Sequence, residues 1–129
     1  MPEKRIVLKN CGVIDPGRIT TYLDKDGFKA WQKALAEMSP EQVVAEIKAS
    51  GLRGRGGAGF PCGSKWELAA KAPGDEKYVI CNADEGEVGI FKDRYILQND
   101  PFTLIEGIAL AAYAIGAKQA YIYLRAEYH

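Results

Sequence analysis

No stretch constrains this chain more than Gly51–Lys65, which reads Gly-Leu-Arg-Gly-Arg-Gly-Gly-Ala-Gly-Phe-Pro-Cys-Gly-Ser-Lys. Six glycines fall within its fifteen residues, with Arg53, Arg55 and Lys65 set among them. Glycine admits positive φ and lets another molecule lie against bare backbone, at a cost in chain entropy. Such a concentration is expected to bring a ligand close to main chain, and the cations and N–H groups favour an anion, phosphate first among them. Gly54, Gly56 and Gly59 satisfy G-x-G-x-x-G as letters, but a dinucleotide fingerprint follows a strand, and Pro40–Ala49 reads as a helix. A Walker A loop needs Gly-Lys-Ser/Thr, whereas the order here is Gly63-Ser64-Lys65. The plain alternative is a flexible linker, rich in Gly and Ser and poor in everything else. Phe60, Pro61 and the three cations favour a ligand loop, and local chemistry alone leaves the ligand unnamed.

Charge narrows the choice of partner. Seventeen basic and seventeen acidic residues cancel, so neither nucleic acid nor an anionic membrane is suggested. The 129 residues amount to one domain or part of a larger one, and 47% hydrophobic content is enough to build a core. No apolar run reaches the length of a membrane span, and the opening Met-Pro-Glu-Lys-Arg lacks the apolar stretch of a signal peptide. A cytoplasmic protein without direct membrane insertion is expected. Cys11, Cys62 and Cys81 are isolated, without C-x-x-C spacing, which reads as reduced, mostly buried thiols rather than a zinc site, a disulfide framework or a complete cluster ligand set.

Around the loop the chain alternates helix and strand signals. Arg5–Lys9 has the composition of a short strand, and Asp15-Pro16-Gly17 marks a turn or a helix start. Phe28, Trp31 and Leu35 recur at helical spacing, predicting an amphipathic helix to about Glu37 with these residues in the core. Ser39-Pro40-Glu41-Gln42 is a capping box with proline at the first helical position. The helix after it presents Val43, Val44 and Ile47 and stops at Gly51. A second capping box, Ser64-Lys65-Trp66-Glu67, predicts a helix to about Lys71, so the loop leads into a helix N-terminus that favours negative charge. Lys65 would sit in that first turn, either against an anion or simply solvated.

Tyr78–Cys81 is a continuous apolar run that reads as a buried strand. Beyond its carboxyl end, where open α/β sheets gather ligands, stand Asn82, Asp84, Glu85 and Glu87. They suit sugar or polyol hydroxyls; calcium is possible by ligand type, though the twelve-residue hand pattern is missing, and a solvated acidic turn remains open. Lys92-Asp93-Arg94 reads as a charge cluster on a short helix. Asp100-Pro101 caps a long apolar helix carrying Leu104, Ile105, Ile108, Leu110, Ala111, Ala112 and Ile115, closed by Gly116. Ala120–Leu124 is a second strand, and the strand–helix–strand order predicts a parallel, right-handed crossover.

Taken together, Gly51–Pro61, Gly63-Ser64-Lys65-Trp66, Asn82-Ala83-Asp84-Glu85 and Lys92-Asp93-Arg94 carry a resemblance. From residue 50 to 128, including Asp100-Pro101 and Tyr121–Arg125, the chain resembles the start of the flavin- and NADH-binding subunit of NADH:quinone oxidoreductase (respiratory complex I). Similar subunits serve NAD-linked hydrogenases and formate dehydrogenases. The resemblance implies an α/β fold: residues 51–129 as the N-terminal part of a Rossmann-like FMN/NADH-binding domain, preceded by a small helical segment over 1–50.

It also implies FMN as cofactor and NADH as electron donor, with electrons passed on to iron–sulfur clusters. By that likeness the loop of Gly54, Arg55, Gly56 and Gly57 approaches the flavin, and Lys65, Asn82, Asp84 and Glu85 hydrogen-bond it. Phe60 matches an aromatic residue near the nicotinamide end, and Glu87 an acid beside bound NADH. Three positions depart from the family pattern: Cys62 where Thr is usual, Val88 where Pro is common, and Leu68 in place of an aromatic that helps sandwich NADH. The family's [4Fe–4S] cluster sits in a later helical domain, so the electron exit is expected in the remaining part of the flavoprotein subunit and in iron–sulfur partner subunits. The alternatives are a non-catalytic remnant serving as an interaction module in a redox complex, and an unrelated phosphate-binding protein.

Overall fold

The computed structural model describes residues 9–54, 58–74, 76–83, 96 and 98–124. The described elements are α1 (Ile19–Leu23), α2 (Lys29–Glu37), α3 (Pro40–Ser50), α4 (Cys62–Lys71), β1 (Tyr78–Ala83), α5 (Pro101–Ile115) and β2 (Gln119–Leu124). Of the segment read as a first strand, residues 5–8 lie outside the described residues and Lys9 belongs to a turn. Lys92-Asp93-Arg94 also lies outside them.

Two helices begin and end where their local chemistry dictates. At α3 the Ser39 side chain accepts from the Gln42 N–H and the Gln42 side chain accepts from the Ser39 N–H, at 3.2 and 2.8 Å. Each bond satisfies a donor that the first helical turn leaves without a partner. Gly51 then takes a left-handed φ of 72°, ending the helix. At α5 the Asp100 carboxylate accepts from the Thr103 N–H at 3.2 Å, Pro101 occupies the first position, and Gly116 closes the far end at φ 80°.

α5 packs against α2, α3, α4 and both strands, so it is the element on which the others assemble. Ala34, Val43, Val44 and Ala114 form a buried hydrophobic cluster, with Met38, Trp66, Leu110 and Tyr113 packed against it. Tyr113 of α5 adds a directed tie, its hydroxyl donating to the Met38 carbonyl at 2.6 Å. The inward stripe of α2 differs from the one read in the sequence. Ala34 is buried and Leu35 is 51% exposed, because Phe28, Trp31, Ala34 and Met38 trace the face that meets α5.

β1 and β2 pair in parallel, from Tyr78↔Gln119 to Ala83↔Leu124, and α5 forms part of the connection between them. The result is a mixed helix–strand fold with a small parallel sheet. β1 is not buried on both faces as its apolar run implied. Ile80 is 67% exposed, and Tyr78, Tyr121 and Tyr123 are exposed with it. Alternate residues of a strand point to opposite faces, so these four share one. The reason for the difference is that an apolar run marks a surface suited to burial without supplying the layer that buries it.

Candidate functional site

The glycine loop is closed at its base by its own backbone. Gly54 N–H donates to the Phe60 carbonyl and Cys62 N–H to the Leu52 carbonyl, each at 2.9 Å, on either side of an antiparallel bridge between Arg53 and Pro61. Arg53 reinforces the closure by donating from Nη1 to the Gly59 carbonyl at 2.9 Å. It acts here as a strut within the loop, whereas the sequence offered it only as one of three cations. Gly59 holds φ +63° with no atom near an added Cβ, a conformation that side chains rarely adopt. Arg55, Gly56 and Gly57 lie outside the described residues.

The loop runs into α4 earlier than the second capping box implied. The helix starts at Cys62 with Pro61 at the cap position, and no side chain caps it. Ser64 is already the third helical residue. The cause is the loop stem, since the bond from Cys62 N–H to Leu52 satisfies an end that Ser64 would otherwise serve two residues later. Lys65 N–H bonds to the Pro61 carbonyl at 3.1 Å, the first rung of the helical ladder. The first turn contains no acidic residue, so the partial positive charge of this helix end meets no carboxylate from its own sequence.

Around that end, Phe60 is 49% exposed and the Lys65 side chain is exposed. Leu68, three residues beyond Lys65 and hence on the same helix face, is 64% exposed. Burial pushes the Cys62 thiol up from its ordinary pKa, and the Lys65 charge works against that rise. The group is therefore a thiol rather than a thiolate nucleophile at neutral pH. On the other side of α4, Glu67 is bridged to Lys48 at 3.0 Å and to Lys71 at 3.7 Å, and the Lys48 bond chiefly holds its carboxyl below the ordinary value.

The structure thus brings Gly54 and Phe60 together through one backbone hydrogen bond and sets Lys65 in the helix that follows. Asn82 stands at the carboxyl end of β1, paired in register with Tyr123. Asp84, Glu85 and Glu87 lie outside the described residues. No three His, Cys, Asp or Glu side chains among the described residues cluster as a metal site would require. A flat, anionic ligand fits what is present. A Cβ at Gly54 would meet only the Phe60 carbonyl, at an ordinary 3.8 Å, so this backbone is open to close approach. An exposed ring, an exposed ammonium group and an uncapped helix start complete the surface. Sequence reasoning read Gly63 only as part of a motif, and the structure buries it as the second residue of α4.

Residues 47–129 match the Nuo51 FMN-binding domain. An NADH-quinone oxidoreductase subunit of Rhizobium meliloti is 54% identical over 123 residues, covering 95% of this chain and 29% of that protein. The NADP-reducing hydrogenase subunit HndC of Solidesulfovibrio fructosivorans is 49% identical over 126 residues, covering 98% of this chain and 25% of that protein. Among solved structures, the air-oxidized NAD+-reducing [NiFe]-hydrogenase aligns with a TM-score of 0.74 at 45% identity, over 87% of this chain and 20% of that one. The chain spans about a quarter of the length of these curated relatives. No helix among the described residues is long and apolar enough to cross a membrane.

Proposed function

The chain belongs to the Nuo51 FMN-binding domain family, and from that premise we propose that it forms the N-terminal part of a Rossmann-like FMN- and NADH-binding domain in an NADH:acceptor oxidoreductase. The observation that carries this reading is the extent of the family match, residues 47–129, which contains every residue nominated from the sequence. When bound, FMN supplies two-electron acceptance from NADH and one-electron release toward iron–sulfur clusters.

The chain's own part is to hold and orient. The backbone of Gly54, Arg55, Gly56 and Gly57 would hold the flavin, with Lys65, Asn82, Asp84 and Glu85 as hydrogen-bonding partners. Phe60 would serve the nicotinamide end and Glu87 the bound nucleotide. The positive charge of the Lys65 ammonium group would favour the anionic reduced form of a flavin held there. The clusters and the rest of the site belong to further polypeptide: the remainder of the flavoprotein subunit and iron–sulfur partner subunits of a cytoplasmic complex. On this reading residues 1–50 are a helical segment and 51–129 the flavin-binding part.

Leu68 favours a second reading, a non-catalytic module within a redox complex. An exposed aliphatic residue stands where the family resemblance leads one to expect an aromatic against NADH.

Titrating the purified chain with FMN and following flavin fluorescence tests the first reading. Saturable quenching at micromolar FMN is expected, with Lys65→Ala weakening it about tenfold or more, the worth of one charge-assisted hydrogen bond. A folded chain that leaves the fluorescence unquenched means that further polypeptide completes the site, and unchanged flavin content on Lys65→Ala in the complete subunit overturns the assignment of the flavin site to these residues.

A further inference from the structure

Nothing in the local sequence calls for a glycine as the second residue of α4, where helix propensity disfavours it. The tertiary structure does. Gly63 is buried, and a Cβ built on it would stand 2.4 Å from Lys48 Cγ, 2.6 Å from Lys48 N and 2.7 Å from Lys48 Cα. Real Cβ atoms essentially never approach so closely, and two of those three atoms are main chain of α3. A flexible side chain can swing aside, but a helix backbone cannot. The first turn of α4 therefore lies directly on the last turns of α3.

The surrounding bonds join this contact to the ligand loop. Lys48, the residue beneath Gly63, is bridged to Glu67 one turn further along α4. Cys62, the residue before Gly63, donates to Leu52, and Gly54 donates to Phe60 across the same stem. We propose that Gly63 is a positioning residue: its missing side chain sets the separation of α3 and α4, and through it the placement of Lys65 and of the Gly54–Phe60 stem. The consequence for flavin rests on the function proposed above, whereas the consequence for the loop stem does not.

A methyl group here must drive α4 outward or tear the stem. The usual benefit of replacing a helical glycine with alanine is then reversed. Gly107 in α5, with nothing within 4 Å of an added Cβ, is the matched control. Gly107→Ala should keep or raise stability, and Gly63→Ala should lower it.

The decisive measurements are amide hydrogen exchange on the chain without FMN and FMN affinity by fluorescence quenching. In Gly63→Ala the Gly54 and Cys62 amides should lose protection at least tenfold while those of α2 and α5 keep theirs. FMN affinity should fall about tenfold or more. Val44→Ala, a core truncation of comparable stability loss, should leave affinity within about twofold below its melting temperature. Retained protection at Gly54 and Cys62, or equal affinity losses in the two variants, overturns the proposal. Should Gly63→Ala fail to fold, the wild-type chain decides: its Gly54 and Cys62 amides must open together with those of α3 and α4 as denaturant rises. Opening ahead of them by local fluctuation overturns it. A wild-type chain that binds no FMN by itself moves the flavin test to the complete subunit, and the exchange results then judge the positioning role.

Discussion

Glu106 shows how much a single side chain can organise. It projects from α5 yet accepts from the Phe28 N–H at 3.0 Å, from the Trp31 N–H at 3.2 Å and from the Tyr22 hydroxyl. α2 has no side-chain cap of its own, since its cap position is Phe28 at φ 61°. A carboxylate from a distant helix therefore supplies what a local Ser or Asp would otherwise provide. Glu106→Ala leaves one buried and two part-buried donors without this acceptor, and urea unfolding should show a loss of about 3 kcal/mol. Tyr22 reports on the same cluster. Burial first, and then the bond to Glu106, raise its pKa from 10.0 to about 12. Below pH 10 the hydroxyl is protonated in folded and unfolded chains alike, and its contribution is intact. Between about 10 and 12 the unfolded chain gives up the proton first, so stability falls as pH rises. The denaturation midpoint of the wild-type chain should therefore decline more steeply across that window than that of Tyr22→Phe.

Among the elements, the two capping boxes are the instructive pair. Ser39 and Ser64 each stand three residues before a Gln or Glu, and only Ser39 caps a helix. Ser39 follows Met38, which is extended, so its side chain is free to fold back onto the Gln42 N–H. Ser64 follows Cys62 and Gly63, already helical because the Cys62 N–H is held by Leu52. Ser39→Ala should cost about 1 kcal/mol in thermal or chemical unfolding, and a loss near zero would mean that Pro40 and Gln42 hold the end without it. Of the candidate site, the loop was legible as a loop because glycine density and cation spacing are properties of consecutive residues. Its closure by Arg53 and the exact start of α4 were not, because both depend on bonds across the stem.

At the scale of the whole molecule α5 is the hub, and its contacts bridge long sequence separations. Tyr113→Phe removes only the hydroxyl that reaches Met38 and should lower stability by about 1 kcal/mol, as judged from the urea midpoint with α5 helicity unchanged by circular dichroism. The sequence by itself determined the ends of α3 and α5, the existence of both strands and the character of the glycine loop. Each of these is written in residues within a few positions of one another, where caps, turn glycines and apolar runs act. Only the tertiary structure decided that Ala34 rather than Leu35 faces inward, that Glu106 caps α2, that β1 keeps one face exposed, and that Gly63 must lack a side chain. Those outcomes depend on which atoms meet across the fold, and bonds such as Trp31 to Glu106 join residues 75 positions apart, beyond the reach of any local pattern.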